Sequence, residues 1–300
     1  MRPAIVKLAA VAITALVALA CSGCHVTRPP KNHARAEVLY SAMMSDPRTF
    51  NPILVTDAGS SAMMDHLFEG LVRIDPLTTL PEPDLASSWE IGDGGHTITF
   101  HLRHGLKWSD GAPLTAHDVV FTMDVIYDRH VPNSIRPSLT IDGKPIKVEA
   151  PGQYTVRMIL PRPFAPLLYA IGFPIIPAHV LESAFKAGRF NQSWGINTPP
   201  KKIIGNGGYE MTRYTPSQLA QFRRNPDYWM RDETGGPLPH LHGQTTLIVE
   251  DQNADYLRFL SGETDVYSPR PEEVTSLREK AKALGITVKR IGIDTGSLFF

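Results

Sequence analysis

Residues 97–128 constrain the fold of this chain more tightly than any other stretch. Thr97-Ile98-Thr99-Phe100-His101-Leu102 alternates polar and apolar side chains, β-branched and aromatic ones among them, which predicts a half-buried strand. Trp108-Ser109-Asp110-Gly111 predicts a turn, because Asp bonds its neighbouring backbone and Gly accepts positive φ. Thr115 then opens a helix with Asp118 at capping-box spacing. Val119, Val120, Met123, Ile126 and Tyr127 recur at helical intervals and give that helix one apolar face.

Short strand and helix patterns flank this unit. Glu37–Tyr40 predicts a strand, and Ser60 or Ser61 caps a helix carrying Met63, Met64, Leu67, Phe68 and Leu71. That helix is expected to run through Glu69-Gly70-Leu71-Val72, with its methionines in the core. Pro83–Glu90 enters a hairpin turning at Asp93-Gly94-Gly95. Residues 145–160 read as strand, turn at Pro151-Gly152, and strand, and a short helix starts near Ala178. Further on come strands at Tyr209–Tyr214, Thr245–Val249 and Asp265–Tyr267, and helices at Asn253–Leu260 and Pro271–Leu284, the last with Pro in its first turn. The glycines of Gly205-Asn206-Gly207-Gly208-Tyr209 are not a phosphate cradle, because a strand and not a helix follows them.

The amino-terminal end reads as an export signal. Arg2 and Lys7 precede an apolar run from Leu8 to Ala20, which is short for a bilayer span and ends in small residues. Residues 1–20 are therefore expected to be a signal peptide. Ala18-Leu19-Ala20-Cys21 resembles the lipobox of bacterial lipoproteins, with Cys21 lipidated; Cys24, after Ser22-Gly23, is the other candidate. These are the only two cysteines; a disulfide between them would close a tiny loop, and a metal site needs more ligands. Residues 21–36, rich in Pro and basic side chains around Thr27–Arg35, read as a tether. The lipid-modified cysteine of such proteins carries more than one acyl chain, enough to hold a membrane.

Composition excludes little but points consistently. With 42% apolar and 20% charged residues the chain is globular. Thirty basic residues face thirty acidic ones, and removing Arg2 and Lys7 with the leader leaves 28 against 30. Nothing in that balance calls for nucleic acid or an anionic membrane surface.

The strand, turn and helix of residues 97–128 closely resemble the signature of the family 5 extracellular solute-binding proteins, the peptide and nickel receptors of ABC importers. Leu67-Phe68-Glu69-Gly70-Leu71-Val72, Pro83-Asp84-Leu85-Ala86-Ser87-Ser88-Trp89-Glu90 and Arg224-Asn225-Pro226-Asp227-Tyr228-Trp229 extend the resemblance. Gly205–Tyr209 is similar to that family's Gly-x-Gly-Pro-Tyr turn, with Gly208 in place of Pro. The resemblance implies a mixed α/β fold, a periplasmic-binding-protein-like clamshell with an extra subdomain. On it, lobe I takes residues 37–68 and 164–292, and the inserted subdomain takes 69–163. Family members are often nearly twice this length, so residues 293–300 are expected to start the crossing to a second lobe that is largely missing.

What the resemblance implies for function is ligand capture without chemistry. Thr56, Asp57 and Ala58, and the strand end Tyr267, Ser268 and Pro269, occupy positions that face ligand in such proteins. An Asx-type lead-in to the next helix accounts for Thr56 and Asp57 equally well. The expected partners are an oligopeptide or similar small ligand, an ABC permease, and a membrane held through the lipid anchor, with a monomeric chain and no cofactor or metal. A one-lobed interaction lipoprotein, docking a protein through the exposed cleft face, is the alternative. Enzyme readings fail on specifics: there is no Gly-x-Ser-x-Gly elbow and no His-Glu-x-x-His. His101 and His104 do not share a strand face, and His240 and His242 supply two metal ligands where a site needs more. Glu69 beside Gly70 reads as a packing or capping carboxylate. With one lobe only, the chain is expected to bind its ligand weakly.

Overall fold

The computed structural model describes residues 37–288. Strand β1 (Val38–Met43) leads through residues 44–57 to helix α1 (Ala58–Leu67). The N-cap of α1 is Asp57, one turn earlier than the serines suggested. Its Oδ1 accepts the Ser60 N–H at 2.8 Å and its Oδ2 accepts the Ser60 hydroxyl at 2.8 Å. A carboxylate at the cap satisfies an orphan amide and complements the helix dipole, which a following serine cannot do as well.

Helix α1 stops at Leu67, and the expected continuation through residues 69–72 is replaced by extended chain. Tertiary bonding overrides the helical spacing there. The Leu67 carbonyl accepts N–H groups from Asn206 (3.0 Å) and Gly207 (2.8 Å), and the Glu69 N–H donates to Asn206 Oδ1 at 2.8 Å. The glycine corner is the partner this crossing needs: a Cβ on Gly205 would lie 2.1 Å from the Leu67 oxygen, so backbone meets backbone. Strands β2 (Val72–Ile74) and β3 (Pro81–Pro83) then form a small ribbon.

The second unit is built on the 97–128 stretch. Strands β4 (Ala86–Gly92) and β5 (Thr97–Leu102) form the expected hairpin, with Gly94 and Gly95 at φ of 61° and 94° in its turn. Every second residue of β5 is buried, Phe100 fully. Trp108 is fully buried and its turn closes as the sequence predicts, with Gly111 at φ 86° and the Ala112 N–H on Asp110 Oδ1 at 3.1 Å. Helix α2 (Ala116–Tyr127) follows, and Asp118 reaches back to the Thr115 N–H at 2.9 Å. It is buried on more than one face: Phe121, Thr122 and Val125 are as deep as Val119, while His117 and Asp124 are exposed. Short strands β6 (Thr140–Ile141) and β7 (Lys144–Pro145) precede β8 (Lys147–Gly152) and β9 (Thr155–Ile159), so the turn falls at Gln153-Tyr154, just past Pro151-Gly152. The sheet order is β4-β5-β9-β8, all antiparallel.

Helices α3 (Leu167–Ala170) and α4 (Ala178–Lys186) return the chain across this unit. Asp118 Oδ1 accepts the Ala178 N–H at 2.9 Å while its Oδ2 holds Thr115, so one buried carboxylate fixes the starts of two helices. Asp118→Ala is expected to lower stability by about 2 kcal/mol, the loss of a cap plus an orphaned buried amide, measured by urea unfolding. An unchanged midpoint would remove Asp118 from the account.

Strands β10 (Tyr209–Thr215), β11 (Leu219–Arg224) and β12 (Gly243–Ile248) complete the other sheet, ordered β1-β12-β11-β10, with β1 and β12 parallel. Helices α5 (Gln252–Leu260) and α6 (Pro271–Leu284) follow. Between them the expected strand at Asp265–Tyr267 is not formed. That segment makes one backbone bond to β1, Asp265 N–H to the Tyr40 carbonyl, and the Asp265 side chain takes the Tyr40 N–H that a ladder would have used. A large core joins both sheets, and a smaller one gathers Phe259, Tyr267, Leu277 and Ile286 around α5 and α6. Cys21, Cys24, the leader, the tether and residues 293–300 lie outside the described residues.

Candidate functional site

The two segments expected to face ligand both flank β1. A Cβ on Gly59 would lie 3.2 Å from Met43 Cε and 3.0 Å from Ser45 Oγ, so the first turn of α1 rests on the end of that strand. The Ser60 hydroxyl accepts the Arg48 N–H at 2.8 Å, tying the loop to the helix start. On its other edge β1 carries Asp265 and the segment leading to Ser268. Among the described residues no hydrogen bond joins the two segments directly; β1 is their common neighbour.

Within these segments the side chains divide sharply. Thr56, Ala58 and Ser268 are exposed. The Asp57 carboxylate is occupied by its own helix. Tyr267 is 2% exposed: its ring stacks on Phe259 at 5.7 Å, and its hydroxyl donates to Glu273 Oε2 at 2.6 Å. Burial first, then the Glu273 carboxylate, push that hydroxyl well above the usual tyrosine range. Pro269 is buried beside it. Tyr267 and Pro269 therefore pack inward, leaving the Ser268 side chain at the surface. Asp57→Ala is expected to cost about 1 kcal/mol of stability through the lost cap, whatever its effect on binding. Thermal unfolding at fixed pH checks this, and an Asn variant restoring the stability would identify the cap.

A largely buried polar cluster lies beside the β2–β3 ribbon, and only one member was legible beforehand. Glu69 accepts the Trp229 indole N–H at 2.9 Å and the Tyr228 hydroxyl. This is a packing role, as its position beside Gly70 suggests, and it gives the Arg224–Trp229 stretch its reason: Asn225 Nδ2 bonds the Gly207 carbonyl at 3.0 Å while Tyr228 and Trp229 close on Glu69. Arg103 stacks over the Trp229 ring at 4.0 Å and its Nε donates to the Asp84 carbonyl at 2.7 Å. Asp84 is 4% exposed and its Oδ1 has no hydrogen-bond partner among the described residues. Burial, then the neighbouring Glu69 charge, raise its carboxyl to about 8, against the pull of Arg73 and Arg103. That shift favours the protonated form of Asp84 beside the Glu69 carboxylate. The only signal in sequence was its place in the Pro83–Glu90 stretch.

Among the described residues the histidines form no common site. His242 pairs with Glu37 at 2.9 Å, His240 lies 3.8 Å from Asp232, and His104 packs on Tyr154. Among the described residues no three His, Cys, Asp or Glu side chains converge as metal ligands.

The scaffold that carries these segments is mixed α/β, with two four-stranded sheets, one of which holds the parallel pair β1 and β12. The family model described as bacterial extracellular solute-binding proteins, family 5 (middle), matches residues 81–300, well over half the chain, and the protein belongs to that family. A probable ABC transporter-binding protein of Deinococcus radiodurans is 28% identical over 271 residues, covering 86% of this chain and 45% of that protein. The ABC transporter substrate-binding protein CtaP of Listeria monocytogenes superposes with a TM-score of 0.68 at 31% identity, over 84% of this chain and 47% of that one. OppA of Haemophilus influenzae, solved in complex with the peptide RPPGFSPFR, superposes at 0.66 and 25% identity over 81% and 48%. The chain spans about half the length of the curated relatives it matches.

Proposed function

We propose that this chain is the substrate-binding component of an ABC importer, and that its ligand is an oligopeptide. The observation that carries the reading is the family match over residues 81–300, together with likeness to a solved relative that holds a peptide. In this reading residues 37–68 and 164–292 form lobe I, residues 69–163 the inserted subdomain, and a second lobe closes over the ligand by hinge motion that the permease senses. Thr56, Asp57, Ala58 and Ser268 lie on the ligand wall, with Tyr267 and Pro269 supporting it. An extended peptide is gripped through main-chain hydrogen bonds, so exposed backbone and small side chains suit this wall better than a deep, specific pocket. The chain is exported, processed before Cys21 and held to the membrane by its acyl groups. It performs no chemistry on its ligand.

Isothermal titration with mixed oligopeptides is the direct test. Weak but saturable heat that is lost in a Ser268→Trp variant of unchanged stability is the expected result. Silence with peptides alongside saturable heat from an oligosaccharide or a nickel chelate would overturn the peptide assignment. Labelling with a radioactive fatty acid, abolished by Cys21→Ser and retained in Cys24→Ser, is expected for the anchor.

A further inference from the structure

A basic groove lies where the described chain begins. It has a volume of about 520 Å³ and is lined by Arg223, Arg224, Asn225, Arg231 and His242 with two prolines. No carboxylate lines it. Arg223 is neutralised from outside by Glu210 at 2.7 Å, and His242 meets Glu37 at 2.9 Å. Arg224 and Arg231 are different. Their bonds go to backbone oxygens: Arg224 to Pro239 at 3.4 Å, Arg231 to Tyr228 at 3.2 Å and Met230 at 3.5 Å. Among the described residues neither guanidinium makes an ion pair. Two uncompensated guanidinia in one groove, each with donors left over, fit a phosphate, whose oxygens accept paired N–H groups.

The position of the groove indicates the source of that phosphate. The His242 N–H donates to the Glu37 carbonyl at 2.8 Å, so the chain enters the domain at the rim of the groove. Upstream of Glu37, Arg28, Lys31 and Arg35 carry the same sign of charge. Cys21 is 16 positions from Glu37. A chain of that length reaches at most about 55 Å. A lipid on Cys21 would tether the domain from this rim, within reach of the headgroups. Zero net charge does not oppose this, since the attraction is local and falls off within about 10 Å.

We propose that this groove takes the phosphate of an anionic phospholipid headgroup and so fixes which face of the tethered domain lies on the membrane. The choice of lipid over free phosphate rests on the anchored reading above; the groove itself does not. The test adds the full purified chain to vesicles of phosphatidylcholine alone or with phosphatidylglycerol, modifies arginines with phenylglyoxal, and maps the sites by mass spectrometry. Arg224 and Arg231 are expected to react about five-fold more slowly on the anionic vesicles. Arg189, exposed just past α4, serves as the control and should react alike on both. The R224Q/R231Q chain should lose the preference for anionic vesicles while floating normally with neutral ones. Equal rates at Arg224 and Arg231 on the two vesicles would overturn the proposal. So would protection by inorganic phosphate without vesicles and none from phosphatidylglycerol, which would assign the groove to a free anion. Flotation with neutral vesicles reports the acyl anchor separately: protection without flotation keeps the groove and removes the anchor.

Discussion

Asp84→Asn is expected to flatten much of the stability loss that the wild-type chain suffers as pH rises toward 8. The sign follows from the direction of the shift. An acid whose carboxyl is raised in the folded state, here to about 8 from an ordinary 3.8, binds its proton more tightly folded than unfolded. Its contribution is fully present below the unfolded value and is lost as pH climbs through the folded one. Across that window the slope approaches about 1.4 kcal/mol per pH unit, so several kcal/mol separate the two ends. Glu69, Arg73, Arg103 and Tyr228 are the charged and titratable groups that act on it. His66, whose protonation is disfavoured by burial, works in the opposite sense, since folding holds it neutral where the unfolded chain would charge it. The difference between wild type and variant isolates Asp84. Asparagine keeps the shape and offers Glu69 an N–H at every pH. Urea midpoints taken from pH 5 to about 9 would therefore diverge, the variant becoming the more stable at the alkaline end. Parallel curves would show that Asp84 is ionised throughout.

What the sequence made legible, and what it did not, divides along physical lines. Local patterns carried the β4–β5 hairpin, the Trp108–Gly111 turn and the Thr115–Asp118 box, because each is decided by neighbours within a few residues. Leu67–Val72 failed for the opposite reason. Apolar residues at helical spacing continue past Leu67, but the Asn206 side chain and the Gly205–Gly207 backbone, far along the chain, take the hydrogen bonds that another helical turn would have used. Asp265–Tyr267 has strand composition, yet one side-chain bond to Tyr40 stands in for a ladder. The family resemblance located the candidate wall at residues 56–58 and 267–269, but resemblance carries position and not orientation. Only packing shows that the Tyr267 ring belongs to the small core around α5 and α6 while Ser268 faces out. The Glu69–Asp84 pairing was invisible for a related reason: fifteen positions separate two carboxylates that the β2–β3 ribbon brings together, its pairing continued by Asp84 N–H to the Leu71 carbonyl and Leu85 N–H to the Gly70 carbonyl.

Glu69→Ala is expected to be the most damaging single substitution at that junction, costing about 3–5 kcal/mol near pH 6. Three losses add up. The Tyr228 hydroxyl, on a residue only 6% exposed, loses its acceptor; the Trp229 indole N–H loses the other; and a gap opens beneath Arg103 and Trp229. A buried donor left unpaired carries its full desolvation penalty, roughly 1–3 kcal/mol each. One effect works the other way. Without Glu69 the carboxyl of Asp84 loses its like-charged neighbour and returns toward its ordinary range, so the penalty should shrink as pH rises through 8. Glu69→Gln keeps one acceptor oxygen but turns an amide toward the second donor, and should lie between Ala and wild type. Tyr228→Phe removes a single donor and should cost the least of the three. The pair is coupled, so the double variant with Asp84→Asn should depart from additivity by more than about 0.5 kcal/mol. Denaturant titrations followed by tryptophan fluorescence would read all of these, since Trp229 sits in the cluster. Should Glu69→Ala fall within about 0.5 kcal/mol of wild type at pH 6, in the range of neutral surface changes, then the cluster is a by-product of packing and does not hold the β2–β3 ribbon to the Tyr228–Trp229 segment.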